Sequence, residues 1–158
     1  MLDLINKTLG KFFGTKSERD LKELNPFVSS VNNEFEKIQS FSNDQLREKT
    51  FEFKKQIADY LAETDEQITL LSDQAEADEE MEAGAKEDLY TQIDKLKKQR
   101  NEKIEEVLAE IHPAAFAVVK ETARRFKENA SLTVTATDHD RNLAAKKTSV
   151  KIEGDNAV

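Results

Sequence analysis

The sequence predicts a mainly α protein, and three observations carry that prediction. Apolar residues recur at alternating steps of four and three from Ile57 to Ala75, and the stripe resumes between Leu89 and Ile111, the period of helices packed along a seam. Charged residues make up 35% and hydrophobic residues 37%, with two prolines and no tryptophan; that balance suits long solvated helices better than a layered sheet. Alternation with a period of two is weak and confined to the stretch after Ser131. The expected elements are an amphipathic N-terminal helix and linker (1–24), short helices (25–56) and a long, acidic antiparallel helical hairpin (57–110). An Ala/Phe helix follows (about 113–127, within a segment 111–128), then an extended tail (129–158) forming a weak β-hairpin or loop.

The first helix rests on "MLDLINKTLGKFFG", which places Leu2, Ile5, Leu9, Phe12 and Phe13 on one stripe. Lys7, Lys11 and Lys16 flank it and Gly14 is the expected stop. An apolar face with flanking lysines suits an anionic membrane surface or a partner's groove; docking on the rest of the same chain is the plainer alternative.

Pro26 is expected to end what precedes it. From Phe27 the spacing of Phe27, Val31, Phe35 and Ile38 marks one amphipathic helix. Ser42 with Gln45 three residues on reads as the cap of the next.

Ile57, Leu61, Thr64, Ile68, Leu71 and Ala75 then form one hairpin seam, and Leu89, Ile93, Leu96, Ile104, Val107 and Ile111 the other. Arg100 and Lys103 interrupt the second seam, where loose pairing is expected, and Gly84 is the expected turn. Thirteen acids stand against one base between Ala58 and Asp94, more than the whole chain's net charge of −8. That concentration disfavours a nucleic-acid partner, because phosphates are repelled.

Pro113 reads as the first-turn proline of a new helix, with Ala115, Phe116, Val119, Ala123 and Phe126 as its apolar face. This face covers more of the circumference than its surroundings would bury. In the tail, Leu132, Val134 and Ala136 and then Val150 and Ile152 fit two short strands around a polar loop.

Signs of chemistry are few. The absence of cysteine removes disulfides and thiolate nucleophiles and fits a reducing compartment. Gly10 to Ser17 imitates a phosphate loop with the wrong glycine spacing. His139 lies between two aspartates, but neighbours on an extended segment alternate sides and do not close a metal site. No nucleophile–base pair is evident. The expectation is no catalytic residue, no metal and no cofactor in this chain.

Three stretches, "KFFGTKSERDLKEL", "FSNDQLREKTFEFKKQI" and "HPAAFAVVKETARRF", resemble in that order the N-terminal segments of the SecA family, the ATPases of bacterial preprotein translocation. The matching positions are Lys11, Phe13, Gly14, Arg19 and Leu21; Leu46, Lys49, Thr50 and Phe53; and Ala115 to Glu121, with Thr122 where the family has Ala. The 57–110 hairpin departs from relatives that have a short acidic linker there, and the tail is longer than usual; both look like insertions of one branch. The family's phosphate loop and acidic Walker strand have no matching position here, so ATP and Mg belong to the parent protein and this chain alone is expected to be inactive.

The resemblance implies an N-terminal part of such an ATPase, truncated before its motor. It implies attachment to the SecYEG channel and anionic lipid through Leu2, Ile5, Lys7, Leu9, Lys11, Phe12, Phe13 and Lys16. It further implies a motor-docking face at Ala115, Phe116, Val119, Ala123 and Phe126, preproteins as substrates and a homodimeric parent. The expected place is the cytoplasm, peripherally on the inner face of the cell membrane. The alternatives are a free-standing helical-hairpin adaptor or chaperone-like module, and a peripheral membrane protein using only its first helix.

Overall fold

A computed structural model of the chain describes residues 15–77 and 82–158. In order these form α1 (Lys16–Ile38), α2 (Asn43–Ala77), α3 (Ala83–Glu128), β1 (Val134–Thr135), α4 (Asp138–Ala144), β2 (Ile152–Glu153) and β3 (Asn156–Ala157), so the fold is mainly α. Two compact units result, Met1–Ser42 with Phe116–Val158, and Asn43–Ala115. Among the described residues no helix is long and apolar enough to cross a membrane.

The Asn43–Ala115 unit is the hairpin. Tyr60 meets Glu106, Thr64 meets Lys103 and Asp65 meets Arg100. One number rises as the other falls, so the arms are antiparallel. The expected seam is the packed one: Leu61, Thr64, Ala75, Leu89, Ile93, Val107 and Ile111 are buried, and Ile57, Ile68, Leu71, Leu96 and Ile104 half-buried. Burial of a residue such as Ile93 or Val107 contributes about 1.5–3 kcal/mol.

Arg100 and Lys103 do not loosen the pairing as the sequence led one to expect. Arg100 forks onto the Asp65 carboxylate, and Lys103 Nζ donates to the buried Thr64 hydroxyl at 2.8 Å. Long stems lie along the seam while their heads find partners on the other arm. Gly84 is not the turn either; it stands in the first turn of α3.

Both prolines lie inside helices, contrary to expectation. Pro26 sits within α1 and Pro113 within α3. A proline's φ is already helical, so what is lost is one bond, to the carbonyl four residues back. Those carbonyls belong to Lys22 and Ala109, both exposed, where water can take the place of the missing N–H. The helix containing Phe27 therefore starts earlier, at Lys16, where Thr15 and Glu18 cap each other's backbone N–H at 3.2 and 2.6 Å.

The tail is more ordered than two strands around a loop. Its polar stretch is α4, begun by a reciprocal Thr137–Asp140 cap. Residues 156 and 157 form β3, the central strand, antiparallel to β1 and β2 with Ala157 opposite both Val134 and Ile152. The β2–β3 reversal passes through Gly154 at φ +62°, where a side chain would be strained.

Candidate interaction faces

Among the described residues, the unit made of Met1–Ser42 and Phe116–Val158 exposes Leu21, Leu24, Val28, Phe116, Val119 and Phe126. Within it α1 runs parallel to the last part of α3. The Phe27 and Phe116 rings meet edge to face at 5.7 Å. Lys120 lies 4.1 Å over the Phe35 ring and donates to Asn32 Oδ1 at 2.7 Å. Arg125 Nη2 donates to the Phe41 carbonyl oxygen at 2.7 Å. The α1 stripe read from the sequence supplies this contact: Phe27, Val31 and Phe35 are half-buried and Ile38 is buried.

The last part of α3 has two opposed faces. Ala117, Glu121 and Arg125, spaced at four, are buried, the first two with no exposure at all. Phe116, Val119 and Phe126 stay exposed at 50%, 67% and 69%, Ala123 is exposed and Ala115 half-buried. At 100° per residue these apolar positions stand opposite the buried row. The expected docking residues thus share one outward face, apart from Phe116's contact with Phe27.

The buried face is held by charge. Arg125 Nε donates to Glu121 Oε1 at 2.7 Å, and Arg124 Nε and Nη2 reach the same carboxylate at 2.8 and 2.7 Å. Arg124 also pairs with Glu128 at 2.5 Å. The hydrogen bonds from Arg124 hold the Glu121 carboxyl below the usual range; desolvation opposes them and the Arg125 bond adds to them. The carboxylate raises Arg124 in turn. Such a group is stable in a buried site only because its charge is paired and its oxygens are bonded.

A second apolar stripe went unread in the sequence. Leu21, Leu24 and Val28 stand exposed on α1, at the spacing of one helical face. The signal was present, but a helix assumed to stop at Pro26 divided it. Of the expected membrane or channel contacts, Lys16 opens α1 and is exposed; Leu2, Ile5, Lys7, Leu9, Lys11, Phe12 and Phe13 lie outside the described residues. His139 is exposed on α4.

Comparison with known proteins adds a family. Residues 9–138 match the family model of the SecA DEAD-like domain. The chain is 48% identical to the protein translocase subunit SecA of Amoebophilus asiaticus over 96% of its own length, 14% of that protein. It is 47% identical to the subunit of Phocaeicola vulgatus over 97% of its length, again 14% of the relative, and 46% identical to that of Cytophaga hutchinsonii over 94%, 13% of the relative. Coverage this complete includes the hairpin in the likeness. The chain therefore spans about 14% of the length of these curated relatives. No solved structure matches.

Proposed function

This chain belongs to the SecA DEAD-like domain family, and on that premise we propose that it acts as the N-terminal part of an ATP-driven preprotein translocase. It would supply attachment and bracing, with catalysis left to a nucleotide-binding domain that carries the phosphate loop. The observation that carries this reading is the outward apolar face of α3, with Val119 at 67% exposure directly across the helix from the wholly buried Glu121. Exposed apolar rings grouped on one face mark an interaction surface. In this reading Ala115, Phe116, Val119, Ala123 and Phe126 rest on the ATP-hydrolysing domain. ATP and Mg bind in that domain, and preproteins are moved at its expense of ATP.

Attachment to the SecYEG channel and to anionic lipid falls to Leu2, Ile5, Leu9, Phe12 and Phe13, with Lys7, Lys11 and Lys16 as the cationic part. Each lysine near an anionic surface adds about 1 kcal/mol. The protein then works from the cytoplasm at the inner face of the membrane, as part of a homodimer.

The test is translocation by the intact translocase carrying Val119→Asp. A charge at that position is harmless in water and costly beneath a covering domain. Loss of ATP-dependent preprotein transport, with the helix content unchanged, supports the reading. Transport at the unaltered rate would favour the free-standing adaptor, in which the face has no motor to brace.

A further inference from the structure

Leu21, Leu24 and Val28 form an apolar stripe on α1, exposed at 56%, 54% and 49%. We propose that this stripe is the resting place of the chain's own opening segment: Leu9, Ile5 and Leu2 fold back onto Leu21, Leu24 and Val28 in antiparallel register, and an anionic membrane surface releases them. The release rests on the attachment reading above; the docking does not.

Three observations name the occupant, and the first is register. Leu9, Ile5 and Leu2 stand five, nine and twelve residues before Gly14, and Leu21, Leu24 and Val28 stand six, nine and thirteen residues after Thr15. For two helices leaving one reversal, each pair then agrees in height to within one residue, about 1.5 Å. Both stripes advance by steps of three and four, the spacing with which antiparallel helices bury one another's faces.

The second is the break at Thr15. Its backbone is extended, at φ −70° and ψ 160°, and its side chain caps α1 by accepting from the Glu18 N–H at 3.2 Å. α1 therefore does not run on into the segment before it, and Gly10 and Gly14 supply backbone positions where a reversal meets no side chain. The third is proximity. A segment tethered to its site by a few residues competes at an effective concentration in the millimolar range, above that of a second copy in dilute solution. Lys7 and Lys11 lie outside the Leu2–Ile5–Leu9 stripe, so docking leaves their charges in water. An anionic surface then attracts the lysines first and exchanges the apolar contact second.

The chain has no cysteine, so a disulfide between introduced pairs reports the docking in the whole chain. Under mild oxidation Ile5→Cys/Leu24→Cys should crosslink within one chain roughly tenfold faster than the wrong-face pair Lys7→Cys/Leu24→Cys. Adding Leu21→Asp and Val28→Asp to the first pair should slow it by about the same factor, with unaltered helix content. Phosphatidylglycerol vesicles should suppress the crosslink and phosphatidylcholine vesicles should not. Equal rates for the two pairs, or no effect of Leu21→Asp/Val28→Asp, would overturn the docking, and crosslinks between chains would make the occupant a second copy. A crosslink undiminished by phosphatidylglycerol vesicles that float the chain would overturn the release. Flotation of the uncrosslinked chain reports the attachment reading separately: a chain that crosslinks but does not float would keep the docking and lose that reading, together with the release.

Discussion

Arg125 Nε donates to Glu121 Oε1 at 2.7 Å, one turn away on a face of α3 where the carboxylate has no exposure. The same guanidinium reaches the Phe41 carbonyl oxygen. The Arg125 hydrogen bond to Phe41 therefore joins α3 to the segment that follows α1, and the ion pair within α3 holds that guanidinium in place. Glu121→Ala should destabilise the chain by on the order of 3–5 kcal/mol, because it leaves Arg125 buried without its counter-charge. Urea unfolding followed by circular dichroism measures it; a loss under about 1 kcal/mol would place the pair among weak surface bridges.

The same carboxylate sets a pH dependence. Its pKa is depressed in the folded protein, so its contribution is complete above the unfolded-chain value of about 4.3. That contribution is lost as pH falls through the lower folded value. Stability of the wild type should decline below about pH 4 more steeply than that of Glu121→Gln. Parallel decline of the two proteins would show that Glu121 has no part in it.

How much of this was legible in the sequence depends on what each residue needed to reveal itself. The hairpin seam was, because Leu61, Ile93 and Val107 pack as their spacing requires. The apolar face of α3 was also legible as a face, but not its direction. Glu121 and Arg125 bury themselves only because each partners the other, with Arg124 also on Glu121 and the Phe41 carbonyl on Arg125, and a charged pair at four-residue spacing looks the same on a solvated helix. Pro113 lies inside α3 rather than at a helix start because both positions share the same φ, and Pro26 does not end α1 because it forfeits only one bond, at the exposed Lys22 carbonyl. The caps at Thr15–Glu18 and Thr137–Asp140 were in view as a hydroxyl three residues before a carboxylate and went unread.

The two faces of α3 should answer substitution in opposite ways. Ala117 has no exposure, so Ala117→Leu overpacks the contact and should cost about 1–3 kcal/mol. Val119→Asp, on the open face, should change stability by no more than about 0.5 kcal/mol. Thermal denaturation of the two variants side by side provides the comparison. Equal losses would mean that Val119 is covered by its own chain.

Pro113→Ala restores an N–H within α3 for the carbonyl of Ala109. Interior prolines cost a helix about 3 kcal/mol relative to alanine, and the half-buried ring returns part of that as packing. A gain of about 1–2 kcal/mol in denaturant unfolding is expected. A loss would show that the proline ring contributes more by contact than the missing bond takes away.

The hairpin offers a test of polar residues in an apolar seam. Thr64 is buried and accepts from Lys103. Thr64→Val alone should cost about 1 kcal/mol through the lost hydrogen bond. Adding Lys103→Leu should recover that or more, because replacing both partners by apolar groups leaves nothing unsatisfied. Additive losses in the double variant, measured by urea unfolding, would contradict this account of the seam.

The proposal that a translocase's nucleotide-binding domain covers the outward face of α3 can be tested with a photo-crosslinker at Val119 of the intact protein. The account predicts a crosslink from Val119 to that domain, and none from a crosslinker at exposed Lys98 of the hairpin. Failure of Val119 to crosslink to that domain, with reaction to solvent as at Lys98, would contradict it.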